Sequence, residues 1–140
     1  MQLARFTPAF LVPLAALTLL AACGADTPTA SSPTPPSPPT GGWLTLQLTT
    51  PTNNDGAVQF SITGPSIDSV SIIGYDGFSA ASNGATNLVV TGQVANGDVA
   101  RIHVPDLSVT VLYRADVVAA AARQTYLLQR LDGYRAVLVR

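Results

Sequence analysis

The chain carries one thiol and one imidazole, those of Cys23 and His103, and these are its most reactive side chains. A cysteine thiolate is a nucleophile that can be acylated or alkylated. His103, as the only histidine, would have to be the base of any Ser-His-Asp triad. One cysteine and one histidine do not supply the ligand set of a zinc centre, and we predict no metal site.

Cys23 ends a short apolar stretch at the start of the chain. Residues 1–22 have the three parts of an export signal, namely a basic start, an apolar body and small residues before a cleavage point. The run Leu20-Ala21-Ala22-Cys23 resembles the lipobox of bacterial lipoproteins. The resemblance implies that signal peptidase II recognises Leu20, Ala21 and Ala22 and cleaves before Cys23. It also implies a diacylglyceryl group on the thiol and an N-acyl chain on the new amine, with no cofactor beyond this covalent lipid.

Two other interpretations of the N-terminal segment remain. A transmembrane anchor needs about 20 apolar residues, whereas residues 6–22 are fewer and include Pro8 and Pro13. An ordinary secretory signal would leave the position of the lone thiol unexplained. We therefore expect a protein of the bacterial cell envelope, held to the membrane by its lipid. The residue after the cysteine is Gly24, whereas an Asp would imply inner-membrane retention in enterobacteria, so the outer membrane is favoured if the cell has one.

Residues 23–42 are predicted to be a disordered stalk that begins at the lipidated cysteine. Pro, Ser and Thr dominate this stretch, and such a sequence buries too little apolar surface to fold. Proline favours an extended polyproline-II conformation, which gives a reach on the order of 50–60 Å at about 3.1 Å per residue. We expect a spacer between membrane and domain, and the alternatives are a tether of no specified length or an O-glycosylated tract.

Residues 43–140 have the length of one ordinary domain. Six Arg and seven Asp give this part a net charge of −1, so it lacks the basic surface that binds nucleic acid. It contains no Cys, and its stability must therefore come from packing. Val, Ile and Thr supply 27 of its 98 residues, while Lys and Glu are absent, which favours strands over helices.

Alternation of apolar and polar side chains indicates strands along this domain. In residues 43–49, for example, Leu44, Leu46 and Leu48 face one way and polar residues face the other. Strands are also predicted at residues 57–63, 66–73, 87–94, 98–104, 107–117, 126–130 and 134–139. The run 117–122 is a strand continuation or a helical turn, and we interpret it as strand. Tight turns are expected at Asp55-Gly56, Asp76-Gly77, Asn83-Gly84, Asn96-Gly97 and Asp132-Gly133.

About eight short strands at regular spacing predict an all-β fold with a single β-sandwich. Residues 56–62, 97–104 and 116–118 resemble strands of cohesin-like and related immunoglobulin-like sandwiches. The resemblance implies a binding or scaffolding fold. It identifies no ligand and carries over no binding residue.

Catalytic and calcium-binding motifs are incomplete in this domain. Residues 77–81 and 64–68 each lack the last Gly of Gly-x-Ser-x-Gly, and neither is expected to open a helix. Residues 52–56 match part of a calcium loop, but Pro51 and Ile62 occupy the first and last ligand positions. Asp55 with other loop carboxylates is the remaining calcium candidate. We predict no enzymatic activity, and the alternative is a small accessory hydrolase that uses His103 or clustered Asp residues in a concave pocket.

Binding is the function that the sequence favours. Tyr75 and Phe78 flank a predicted turn, and Trp43 lies opposite the apolar side of its strand. Exposed aromatic rings stack on sugars or anchor protein contacts, so Trp43, Tyr75 and Phe78 are our candidate ligand-binding residues. The expected partner is a protein or a glycan. The alternative is that Tyr75 and Phe78 cap the open end of the sandwich while Trp43 packs at a sheet edge.

Overall fold

Eight strands make up most of residues 37–140, the part of the chain that the computed structural model describes. They are β1 (Gly42–Thr49), β2 (Asp55–Thr63), β3 (Ser69–Ile72), β4 (Asp76–Ser82), β5 (Ala85–Val94), β6 (Gly97–Val104), β7 (Arg114–Ala122) and β8 (Arg135–Val139). The predicted signal peptide, the Cys23 lipid site and the stalk up to residue 36 lie outside the described residues.

The strands form two antiparallel sheets that enclose one core. Sheet A has the order β3-β6-β1-β8, and sheet B has the order β4-β5-β2-β7. The inward side chains form the core because each strand alternates between its two faces; they include Leu44, Leu46, Leu48 and Ile102 from sheet A, and Val58, Phe60, Ile62, Leu88 and Val90 from sheet B. The predicted all-β sandwich of about eight strands is confirmed.

The strand predicted at residues 107–117 is wrong over its first half. Residues Leu107–Leu112 form a 3₁₀ helix between β6 and β7. Asp106 caps this helix, since its carboxylate accepts a hydrogen bond from the Ser108 N–H at 2.8 Å, and such caps start helical turns. Val111 is 83% exposed, so the alternation here does not reflect burial. Within residues 37–140 no helix is long and apolar enough to cross a bilayer.

The strand predicted over residues 113–122 is present as β7 from Arg114. The strand predicted at residues 126–130 does not form. β7 continues to Ala122, as we interpreted the alanine run. After it the chain turns back along β7 as a segment that we call the arm, residues 125–130. The Gln129 N–H donates to the Ala120 carbonyl at 2.8 Å, and Leu128 makes one isolated bridge to Ala121. A positive φ of 54° at Tyr126 prevents a regular strand there.

The Asn-Gly and Asp-Gly dipeptides predicted some turns correctly, but two of them begin strands. Asn83 and Gly84 have φ values of 52° and 78° in the β4–β5 hairpin, as expected for a tight turn. Asp76-Gly77, however, begins β4, a strand that the sequence analysis did not predict. Asp55-Gly56 likewise begins β2, where the register shifts at a bulge. The small residues of β4 give no apolar alternation that would predict a strand. The Asp76-Gly77 dipeptide was therefore the only local pattern there, and it predicted a turn.

Candidate functional site

The outer face of sheet B is built mostly from small and apolar side chains. Antiparallel register aligns one row across all four strands, formed by Phe78, Val89, Gln59 and Ala119. The neighbouring row runs through Thr91, Ala57 and Ala121 and is continued by Leu128 of the arm. These residues alternate with the buried ones, so they face away from the core.

A shallow depression of about 150 Å³ lies on this face, and we call it the trough. Its lining consists of Ala57, Val58, Gln59, Val89, Ala119, Ala120, Ala121 and Leu128. Phe78 is next to Val89 at the β4 end of the row and is 63% exposed, and Leu128 at the opposite side is 79% exposed. Two large apolar side chains thus stand in solvent on either side of an uncharged floor. Exposed apolar surface of this kind is typical of a contact site.

The arm that carries Leu128 is fixed by a buried carboxylate at the start of β2. Asp55 is fully buried. Its Oδ1 accepts hydrogen bonds from Gln129 Nε2 at 2.8 Å, Tyr134 Oη at 2.7 Å and Thr52 Oγ1 at 2.9 Å. Its Oδ2 accepts one from Thr50 Oγ1 at 2.6 Å. Because Gln129 belongs to the arm, Asp55 ties the arm to the β1–β2 loop and to the residue before β8.

These contacts use the hydrogen-bonding capacity of the Asp55 carboxylate, which has about four lone-pair sites. All four donors are neutral hydroxyl or amide groups. Burial raises the pKa of Tyr134, and its hydrogen bond to Asp55 adds to that rise, so its hydroxyl stays protonated as a donor near neutral pH. The Asp55 carboxylate, which was considered above as a calcium ligand, has protein donors on both of its oxygens. The described part of the chain contains no group of three His, Cys, Asp or Glu side chains suited to a metal ion.

The three aromatic candidates do not share a surface. Trp43 is 46% exposed on the outer face of sheet A, and Phe78 is on the outer face of sheet B. Tyr75, between β3 and β4, packs partly against the core, and its hydroxyl accepts a hydrogen bond from the Ala95 N–H at 3.5 Å. A single flat ligand therefore cannot stack on Trp43 and Phe78 together. Their role in ligand binding stays a prediction.

His103 lies on the outer face of sheet A with Asp68 and Trp43 as neighbours. Its Nδ1 is 3.0 Å from Asp68 Oδ2, and its ring centroid is 5.0 Å from that of Trp43, with an edge-on geometry. A carboxylate in this position can orient an imidazole as a base. The pair is on an open sheet face, and within residues 37–140 no Ser, Thr or Tyr hydroxyl hydrogen-bonds to the ring. Among the described residues, this geometry therefore orients an imidazole but brings no hydroxyl group to it.

Sequence reasoning did not find the trough or the Asp55 cluster. The run of four alanines at 119–122 was visible in the sequence, and three of them, Ala119, Ala120 and Ala121, line the trough. Their small side chains leave the depression unfilled. The partners of Asp55 lie up to 79 residues away along the chain, so no local pattern links them. Comparisons of the chain with protein-family models, curated proteins and solved structures find no match.

Proposed function

We propose that this chain is a lipid-anchored protein of the bacterial cell envelope whose β-sandwich binds a protein partner at the trough. The trough is the observation that carries the binding part of this proposal. It combines an uncharged apolar floor with exposed Phe78 and Leu128 on its two sides. Apolar surface removed from water contributes about 25 cal/mol per Å², so an apolar side chain of a partner that fills the trough would be held there.

A protein partner fits this surface better than a glycan. Sugar binding usually relies on aromatic rings that stack on the sugar face. Phe78 is the one large aromatic ring in the row described above, and the indole of Trp43 faces away on the other sheet. The centres of protein contacts are depleted in charge and rich in apolar side chains, as the trough lining is.

The lipobox supports the anchoring part of the proposal. Leu20, Ala21 and Ala22 precede the only cysteine of the chain, and a proline-rich stretch follows it before β1 begins at Gly42. Each buried methylene contributes about 0.8 kcal/mol, so two or three acyl chains on Cys23 would anchor the protein firmly. The stalk would then hold the sandwich, with its trough, away from the lipid headgroups.

Binding at the trough is tested with a photo-crosslinking amino acid in the full chain, expressed in its own host. The crosslinker replaces Val89 in one variant and Thr45, on the outer face of sheet A, in another. We expect a discrete protein adduct from position 89 alone. A second change, Ala119→Asp, places a charge in the trough and should abolish the adduct, whereas Thr45→Asp should preserve it.

Three results would refute trough binding. One is an equal adduct from positions 89 and 45, and another is no adduct at all. The third is retention of the adduct by Ala119→Asp. A glycan array that the purified chain binds through Phe78 or Trp43, shown by loss of binding in Phe78→Ala or Trp43→Ala, would replace the protein partner with a sugar.

Anchoring is tested separately by feeding the host labelled palmitate. The wild-type chain should carry the label and remain with membranes, and Cys23→Ser should lose both properties. Equal labelling of the two chains would overturn the anchor and would leave the test of the trough unaffected.

A further inference from the structure

β4 forms an open edge of sheet B. The opposite edge, β7, is partly covered because the arm hydrogen-bonds to it. In β4 all seven residues are exposed. Natural edge strands are usually protected by proline, by lysine, by a bulge or by inward-pointing charge. β4 has none of these, and its only charged residue is Asp76, at its first position.

The backbone groups that β4 leaves unpaired can be identified from its contact with β5. A Cβ added to Gly77 would collide with the Val89 carbonyl oxygen, so this carbonyl faces β4. Val89 is aligned with Phe78, which makes the two a hydrogen-bonded pair. Because backbone direction alternates along a strand, the N–H and C=O groups of Gly77, Ser79 and Ala81 point away from β5.

We propose that β4 binds β4 of a second copy of this chain, in an antiparallel pair whose two-fold axis passes through Ser79. In this register Gly77 is opposite Ala81 of the second copy, and Ser79 is opposite itself. All three outward-facing residues then form hydrogen-bonded pairs. The two copies of sheet B become one continuous sheet of eight strands.

The side chains of β4 suit this register. On the outer face Phe78 lies opposite Ala80 of the second copy, which pairs a large side chain with a small one. On the inner face the pairs contain only Gly, Ser and Ala. Asp76 lies opposite Ser82, so no like charges oppose each other, and directly opposed like charges would destabilise the pair. The proposal goes beyond the proposed function, since it needs neither the lipid nor the protein partner.

One added strand buries a small area, and interfaces below about 1,200 Å² are usually weak. The pair should therefore be detected by cross-linking and at high protein concentration. The full chain with Cys23→Ser provides a background without thiols. In that background Ser79→Cys should give a disulfide-linked dimer on mild oxidation, because Cα atoms in a hydrogen-bonded pair are about 5.5 Å apart and disulfides form at that separation.

Ser82→Cys is the matched control, with the same chemistry on the same exposed strand. The register separates the two copies of residue 82 by six positions, or about 20 Å, so random collision is the only route to its disulfide. Dimer from Ser79→Cys and none from Ser82→Cys supports the proposal. Equal dimer from both, or none from Ser79→Cys, overturns it.

Proline substitutions in the Cys23→Ser chain provide a second, independent test. Association is measured by analytical ultracentrifugation at concentrations up to about 1 mM protein, a range that detects weak association. Ser79→Pro removes an N–H that points away from β5, and proline is tolerated on the free side of an edge strand. It should keep the folded state and abolish dimer formation. Ala80→Pro removes an N–H that points to β5 and should instead lower the urea midpoint. A parent chain that stays monomeric throughout, or Ser79→Pro that still dimerises, refutes self-pairing.

Discussion

Replacing Asp55 with Ala tests whether the buried carboxylate stabilises the fold and fixes the arm. The substitution removes four hydrogen bonds, which come from Thr50, Thr52, Gln129 and Tyr134. It leaves a space where the carboxylate was, between the β1–β2 loop and the arm. Asp55→Asn keeps the volume and one acceptor oxygen but places an NH₂ group where the second oxygen was.

The expected loss is smaller than the simple sum of four bonds. A hydrogen bond to a carboxylate contributes about 1.5–3 kcal/mol. Thr50 is only 4% exposed, so its hydroxyl cannot regain water when Asp55 is removed. Thr52, Gln129 and Tyr134 are closer to solvent and recover part of their hydrogen bonding there. We expect Asp55→Ala to lower the free energy of unfolding by about 3–4 kcal/mol and Asp55→Asn by about 1–2 kcal/mol.

Urea unfolding followed by circular dichroism measures this difference. With an m-value of about 1.5 kcal/mol per M, a loss of 3 kcal/mol moves the midpoint down by about 2 M. Asp116→Ala is the control, because this carboxylate is exposed on β7 and surface substitutions usually change stability by less than about 0.5 kcal/mol. A change below about 1 kcal/mol for Asp55→Ala, or an equal change for Asp116→Ala, would refute this reasoning.

Three further predictions concern substitutions of single residues, and the urea midpoint measures each of them. The pKa of Tyr134 is raised in the folded state. The stability that this residue contributes is therefore present below its ordinary pKa of about 10 and is lost as the pH rises further. The free energy of unfolding of Tyr134→Phe should fall less than that of the wild-type chain over that range. Phe60 is fully buried, and Phe60→Ala should cost about 3–5 kcal/mol, whereas Phe78→Ala at its exposed site should cost less than about 0.5 kcal/mol. A Cβ at Gly77 would meet a neighbouring carbonyl oxygen, and Gly77→Ala should cost about 2 kcal/mol. The first prediction is contradicted if the wild-type chain and Tyr134→Phe lose the same stability above about pH 10. The second is contradicted if Phe60→Ala and Phe78→Ala lower the free energy of unfolding equally, and the third if Gly77→Ala leaves it unchanged.

The parts of the fold that alternate cleanly were predictable from sequence. Burial follows the period of two along β1, in most of β2 and in β6 from Ala100 onward, with Leu46, Phe60 and Ile102 facing the core. The same rule was misleading at residues 107–112, because a capping Asp106 started a helical turn within an alternating sequence. A local preference for a cap and a tertiary preference for a strand competed there, and the alternation could not show which would win.

The candidate site depends on contacts that sequence patterns do not contain. The trough requires the register that sets Val89 beside Gln59 and Ala119, and register is a property of paired strands. Asp55 was interpreted as a turn residue since Asp before Gly suits a tight turn. Its actual partners, Gln129 and Tyr134, are brought to it only when β7, the arm and β8 close the sandwich.

The strand order of sheet A also constrains when the protein can fold during its synthesis. β1 is made early, yet its hydrogen-bonded neighbours are β6 and β8, which the ribosome reaches later. β1 has therefore no strand partner until residues 97–104 have emerged, and its second side stays open until residues 135–139 have emerged. Such long-range pairing delays folding. One side of β1 is therefore an exposed strand edge in any nascent chain that lacks β8.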